Sequence, residues 1–207
     1  MKPDETSGSI SHVHTLMDEL EFLLEEKVQE AEIRELLDQY RDIGGASAEE
    51  LNAFEQEFGV RLPADFRAFY ERKNGSGYAL HVLYPGDEGA GEWTPFYLMS
   101  LEEMRDGMRM ISGENQRLDE FYSAEEIGKL DPEIRPYLFH QSRVPFATIA
   151  GGSLYLMLDF DPTEQGTYGQ VIVYVHDPDF VYYVAPTFTQ MLEQSNRNLS
   201  TMEEIDY

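Results

Sequence analysis

Carboxylates are the side chains with which this sequence could do chemistry. Asp159 and Asp161 flank Phe160, Glu164 follows three residues later, and an upstream acidic loop holds Asp87 and Glu88, with Glu92 just beyond it. If a strand ends near Phe160, alternation puts residues 159 and 161 on one face, where two carboxylates can exchange protons, hold a cation or meet a cationic surface. The spacing Asp-x-Asp-x-x-Glu lacks the five-ligand rhythm and central glycine of a calcium loop, so a solvated strand end facing a basic partner is the preferred reading. His12 and His14 stand about 200° apart on a helix and cannot share a metal there. His81, His140 and His176 have no neighbours at ligand spacing. Nucleophile-elbow, zincin, Walker and dinucleotide-binding patterns are all missing from the sequence. No cofactor or metal is implied. Carboxylate-pair hydrolysis stays open, because folding can join distant residues.

The elements that must position these groups follow from hydrophobic period. Val13, Met17, Leu20, Leu24, Val28 and Ala31 recur at helical steps, while ten acidic and three basic side chains between Asp18 and Asp42 lie mostly off that stripe. Ile33, Leu37 and Tyr40 continue it, on the same helix or after a break, until Gly44-Gly45. Residues 1–11 carry no period and read as a loose end. Ser47 and Glu50 form a capping box, Leu51, Phe54 and Phe58 a buried face, and Gly59 suits the left-handed position that ends a helix. Pro63 fits the first turn of the next helix, which buries Leu62, Phe66, Phe69 and Tyr70 and stops at Asn74-Gly75. Two strands are then expected, Tyr78 to Tyr84 and Trp93 to Met99, followed by a helix opened by Ser100 and Glu103 and burying Leu101, Met104, Met108 and Ile111. Residues 113–143 read as short helices with apolar anchors. The last third reads as an antiparallel meander, Val144 to Ile149, Leu154 to Phe160, Gln170 to Val175 and Phe180 to Val184, closed by a helix over Thr187 to Gln194. Tyr97, Tyr122, Tyr137, Tyr182 and Tyr183 suit either an interface or the margin of a core.

Helices and strands are thus segregated, which predicts an α+β fold of an antiparallel sheet with helices packed against it and argues against a parallel nucleotide-binding sheet. The chain holds 40 Asp and Glu against 15 Lys and Arg, a net charge of −25, with 42% hydrophobic residues, enough apolar material for a core. Such a charge repels phosphate backbones and anionic lipid, so nucleic acid and membrane are not expected partners. It attracts basic proteins or simply keeps the chain soluble. With no cysteine, no apolar leader and no long apolar run, the chain is expected in the cytosol.

The order of these features resembles a known family. Leu51 to Phe66, with Gly59, Leu62-Pro63, Asp65 and Phe66, followed by Phe69 and Asn74-Gly75, is similar to the opening signature of the SUKH superfamily, in particular its Smi/Knr-type branch. Val144-Pro145-Phe146-Ala147, Gly151-Gly152, Leu158-Asp159, Gly169-Gln170-Val171 and Ala185-Pro186-Thr187-Phe188 resemble its later motifs. The likeness spans about residues 47–192 and divides the chain into an N-terminal helical extension (1–46), a SUKH-like domain (47–193) and an acidic C-terminal tail (194–207). The domain departs from the family pattern in an inserted, tryptophan-free helical segment at 112–143. What the resemblance implies is a protein-binding scaffold: in bacteria immunity proteins that neutralise polymorphic toxins, many of them nucleases, and in fungi regulators of cell-wall assembly. Toxin neutralisation is the leading expectation, with Asp87, Glu88, Glu92, Asp159, Asp161 and Glu164 as contacts for a basic toxin domain. A housekeeping adaptor is the alternative.

Overall fold

The computed structural model describes residues 5–77, 80–86, 94–111, 115–149 and 151–205. Its first helix, α1 (Glu5–Lys27), begins within the stretch that reads as a loose end. The periodic residues Val13, Met17, Leu20, Leu24 and Val28 are all buried. The acidic run continues on a separate helix, α2 (Ala31–Asp42), so the stripe is broken rather than continuous. Two cations finish these helices. Arg34 Nη2 donates to the carbonyl of Val28 at 2.6 Å, and the buried Lys73 Nζ donates to the carbonyls of Tyr40 and Ile43 at 2.9 Å each. A positive charge there also complements the negative end of the helix dipole.

Helix α3 (Ala48–Phe58) opens on the expected capping box of Ser47 and Glu50 and ends on Gly59 at φ 65°. Pro63 directly precedes α4 (Ala64–Tyr70). Asp65 of α4 is buried and accepts from the backbone N–H and hydroxyl of Thr189 at 3.0 and 2.8 Å, tying α4 to the start of the last helix, α7 (Phe188–Thr201). Asn74 does more than stop α4. Its Oδ1 accepts from the N–H of Leu101 at 2.9 Å, in the first turn of α5 (Leu101–Ile111), where Ser100 and Glu103 also exchange the expected capping-box bonds. Gly75 sits at φ 94°, and a Cβ there would lie 2.9 Å from the backbone nitrogen of Ser100, so only glycine lets the two segments approach.

Among the described residues six strands form one sheet, antiparallel throughout and in sequence order: β1 (His81–Leu83), β2 (Phe96–Leu98), β3 (Arg143–Thr148), β4 (Leu154–Asp159), β5 (Gln170–Val175) and β6 (Phe180–Ala185). The expected meander is therefore present. Of the two expected upstream strands, Tyr78 and Trp93 lie outside the described residues. One sheet face carries α4, α5 and α7, and α1 lies across α4 and α7. Edge-to-face rings at its centre lock the layers: Phe66 of α4 and Phe146 of β3 both meet Phe188 of α7, with centroids 5.1 and 5.7 Å away. The extension, from Val13 to Ala46, shares this core rather than standing apart from it.

Two expectations change. The C-terminal segment is not a tail from residue 194, because α7 continues to Thr201 with Ser195, Asn196 and Leu199 buried. Segment 115–142 holds little helix: one 3₁₀ turn (Leu118–Glu120) and the single turn α6 (Ala124–Ile127), opened by a capping box of Ser123 and Glu126. It lies flat on the other face of the sheet, and a second apolar core joins Leu118, Ile134 and Leu138 to Met157, Ile172 and Val181.

Candidate protein-binding face

Strand alternation sorts the sheet residues. Leu154, Leu156, Leu158, Val171 and Val173 face the helices, while Tyr155, Met157, Ile172 and Tyr174 face segment 115–142. At one end of that second face three polar residues stand side by side, since the register pairs Arg143 with Asp159 and Asp159 with Gln170. Arg143 donates to the carbonyls of Arg135 at 2.8 Å and of Tyr137, and Gln170 Nε2 donates to the carbonyl of Glu133 and to Asp159 Oδ2, each at 3.1 Å. Together they clamp segment 115–142 onto the sheet. Burial pushes the Asp159 carboxyl above its ordinary value, against the pull of Arg143, and lowers the Arg143 guanidinium. The two approach only to 3.9 Å, so hydrogen bonds to carbonyls and to Gln170 carry most of the compensation.

Asp159 therefore does not stand at a solvated strand end. It is 1% exposed and looks into the protein, where it also accepts from the N–H of Asp161 at 3.1 Å. The expected pairing of Asp159 and Asp161 on one open face fails because segment 115–142, whose position no local pattern encodes, roofs that face. Asp161 and Glu164 do reach the surface, on the connection from β4 to β5, where Asp161 pairs with Arg135 Nε at 3.2 Å. Asp87, Glu88 and Glu92 lie outside the described residues. Among the described residues no group of three or more histidines or carboxylates is gathered to hold a metal ion.

At the other end of the roof lies an aromatic groove of about 210 Å³, lined by Tyr122, Glu126, Lys129, Pro178, Phe180 and Tyr182. Phe180 and Tyr182 come from edge strand β6, and Tyr122 directly precedes the cap of α6. The Tyr122 and Phe180 rings meet edge-to-face with centroids 5.5 Å apart, and those of Phe180 and Tyr182 are tilted at 5.3 Å. The Tyr122 hydroxyl donates to the carbonyl of Asp179 at 2.6 Å, fixing the ring. Behind it the Asp179 carboxylate takes the Tyr174 hydroxyl at 2.5 Å and lies 2.7 Å from His176 Nδ1. This tyrosine, aspartate and histidine set fastens the β5–β6 turn. In the sequence Tyr122 and Tyr182 suit an interface or a core margin equally, and Phe180 reads only as a strand residue, because the groove exists only once the roof is laid.

A polar depression of about 360 Å³ between α3 and α5 is occupied by its own charges, with Arg109 held to Asp106 and Arg105 to Glu57, each at 2.9 Å. The remaining exterior is negative: among the described residues Asp65 and Asp159 are the buried carboxylates, and the others reach solvent at least in part. On α1 the ring of Phe22 is 66% exposed, with Asp18, Glu25 and Glu26 one helical turn away on either side. Neither Phe22 nor Phe121, which is 60% exposed, carries a sequence signal that separates it from core phenylalanines.

A family model described as "SMI1 / KNR4 family (SUKH-1)" matches residues 45–194, from just before the cap of α3 into α7. The chain belongs to the SMI1/KNR4 family. Its SUKH-1 region takes in the whole sheet, the roof and the aromatic groove, whereas α1 and α2 lie outside it. The chain is also similar to "KNR4/SMI1 homolog 2" of Debaryomyces hansenii, at 24% identity over 209 residues, covering 87% of this chain and 34% of that protein. The chain thus spans about a third of the length of that relative. Among the described residues no helix is long and apolar enough to cross a membrane.

Proposed function

We propose that this SMI1/KNR4-family chain works by stoichiometric binding rather than catalysis, and that its partner is a basic toxin domain, of nuclease type, which it neutralises. One observation carries the reading: the chain has a net charge of −25, and among the described residues of its single-sheet scaffold every carboxylate but Asp65 and Asp159 reaches solvent at least in part. A nuclease presents a cationic groove to its substrate, and an inhibitor with carboxylates at the surface competes with phosphate and associates fast. Asp161 and Glu164 remain proposed contacts, as do Asp87, Glu88 and Glu92; Asp159 supports them from inside through the N–H of Asp161.

The test pairs the purified chain with basic nuclease toxin domains encoded in its native host. Inhibition should saturate at one chain per toxin, and affinity should fall steeply with added salt. Inhibition absent for every such domain, or affinity indifferent to salt, overturns the reading.

The adaptor alternative draws support from the Debaryomyces relative, in which the matched region is only 34% of a longer protein, as expected of a module that serves several partners. Its mark is co-purification of several unrelated endogenous proteins with no toxin among them.

A further inference from the structure

We propose that the groove formed by Tyr122, Phe180 and Tyr182 is a pocket for one arginine side chain of the basic protein partner. This deepens the binding function proposed above, and rests on it for the source of the arginine.

Size restricts the occupant first. At about 210 Å³ the groove falls below the roughly 300–1,000 Å³ of small-molecule sites, so it suits a single inserted side chain. Wall chemistry comes next. Three rings, Tyr122 from the roof and Phe180 and Tyr182 from β6, converge with centroids 5.3 and 5.5 Å apart, and aromatic rings attract a flat, weakly hydrated guanidinium. Charge then selects the sign. Glu126 stands on the rim and the Asp179 carboxylate lies behind Tyr122, and both raise the Tyr122 hydroxyl pKa, after burial, as a negative surrounding must.

The protein uses the same pairing internally. Lys73 lies over Tyr40 at 4.5 Å, Arg105 over Phe54 and Arg117 over Tyr137 at 5.6 Å each, and Arg143 over Tyr137 at 6.0 Å. Among the described residues no cation of the chain lies over Tyr122, Phe180 or Tyr182. Lys129 lines the rim without covering a ring, and its repulsion of an incoming cation supplies a signed control.

The probe is a short neutral-ended peptide with one arginine between glycines and serines, compared with peptides carrying citrulline or leucine instead. Backbone and ring NMR shifts of the full chain should move saturably at Tyr122, Glu126, Phe180 and Tyr182 with the arginine peptide. Citrulline, isosteric but uncharged, should bind about fivefold more weakly. Tyr182→Ala should abolish the saturable shifts while leaving the core spectrum intact. Glu126→Gln, which keeps an amide oxygen for the Ser123 cap, should weaken binding, and Lys129→Ala should tighten it. Equal binding of the leucine peptide, unchanged affinity in Glu126→Gln and Lys129→Ala, or no saturable shift with arginine each overturns the proposal. The two readings also separate. If a basic toxin is neutralised equally by the wild type and Tyr182→Ala, the pocket assignment fails and the function stands. If the arginine peptide binds but no basic toxin is neutralised, the reverse holds.

Discussion

Arg143 is the side chain on which the outer half of the molecule depends. Its guanidinium is 1% exposed, lies near one buried carboxylate and holds the carbonyls of Arg135, Tyr137 and Leu138. Replacing it with leucine leaves the buried Asp159 without its cationic neighbour, held by Gln170 and the N–H of Asp161 alone, and frees those carbonyls; breaking a buried pair in this way costs about 3–5 kcal/mol. Arg143→Leu should lower the midpoint of urea unfolding accordingly and raise hydrogen exchange over 133–138 before any change in α1; uniform loss of protection would mean that no separate clamp exists. His176 supplies a second residue-scale expectation. Its bond to Asp179 and the attraction of that carboxylate raise its pKa above the ordinary histidine value. The stabilisation is present in full below the unfolded-state value and is lost as pH rises through the folded one. An NMR titration should find His176 above a denatured-state histidine and should find the shift gone in Asp179→Asn. Neither residue advertises this in the sequence. Arg143 reads as the residue before a strand, and Asp159 as a surface acid, because the segment that buries them arrives from outside the sheet.

Elements were more legible than their ends. Capping boxes at Ser47 and Ser100, the left-handed Gly59 and the strand alternation after Val144 are local signals, and each element they announce is present. The end of α7 was not legible, because Ser195, Asn196 and Asn198 look like a polar stop. They are polar since they hold neighbouring segments: Ser195 Oγ accepts from the N–H of Tyr84, just after β1, and Asn198 donates to the carbonyl of Tyr84, each at 2.8 Å, while Asn196 donates to the carbonyl of Leu16 on α1 at 2.9 Å. Leu199 is fully buried in the main core. Leu199→Ala should therefore cost about 2–5 kcal/mol, and truncation after Gln194 should cost more, both read as a fall in Tm. A truncated chain as stable as the full one would restore the reading of 194–207 as a tail.

At the scale of the whole molecule one cause acts in two directions. Forty acidic side chains outnumber fifteen basic ones, and among the described residues Asp65 and Asp159 are the buried carboxylates; the excess negative charges repel one another, which strains the compact state while it draws in a cationic partner. Some of it is relieved locally, as where Glu25 receives both Arg34 and Arg41 and is held below its usual value by their hydrogen bonds. Most acids have no such neighbour to receive, since fifteen cations cannot pair forty anions one for one. Salt shortens the Debye length from about 30 Å at 0.01 M to about 8 Å at 0.15 M. Over that range sodium chloride should raise the Tm of the free chain and weaken its hold on a basic toxin, opposite signs from the same screening. Both are measured on one preparation, by calorimetry and by titration. If Tm stays flat or falls while affinity drops, the exterior charges are balanced locally in the free protein, and attraction of the partner must come from a small patch rather than from the field of the whole surface.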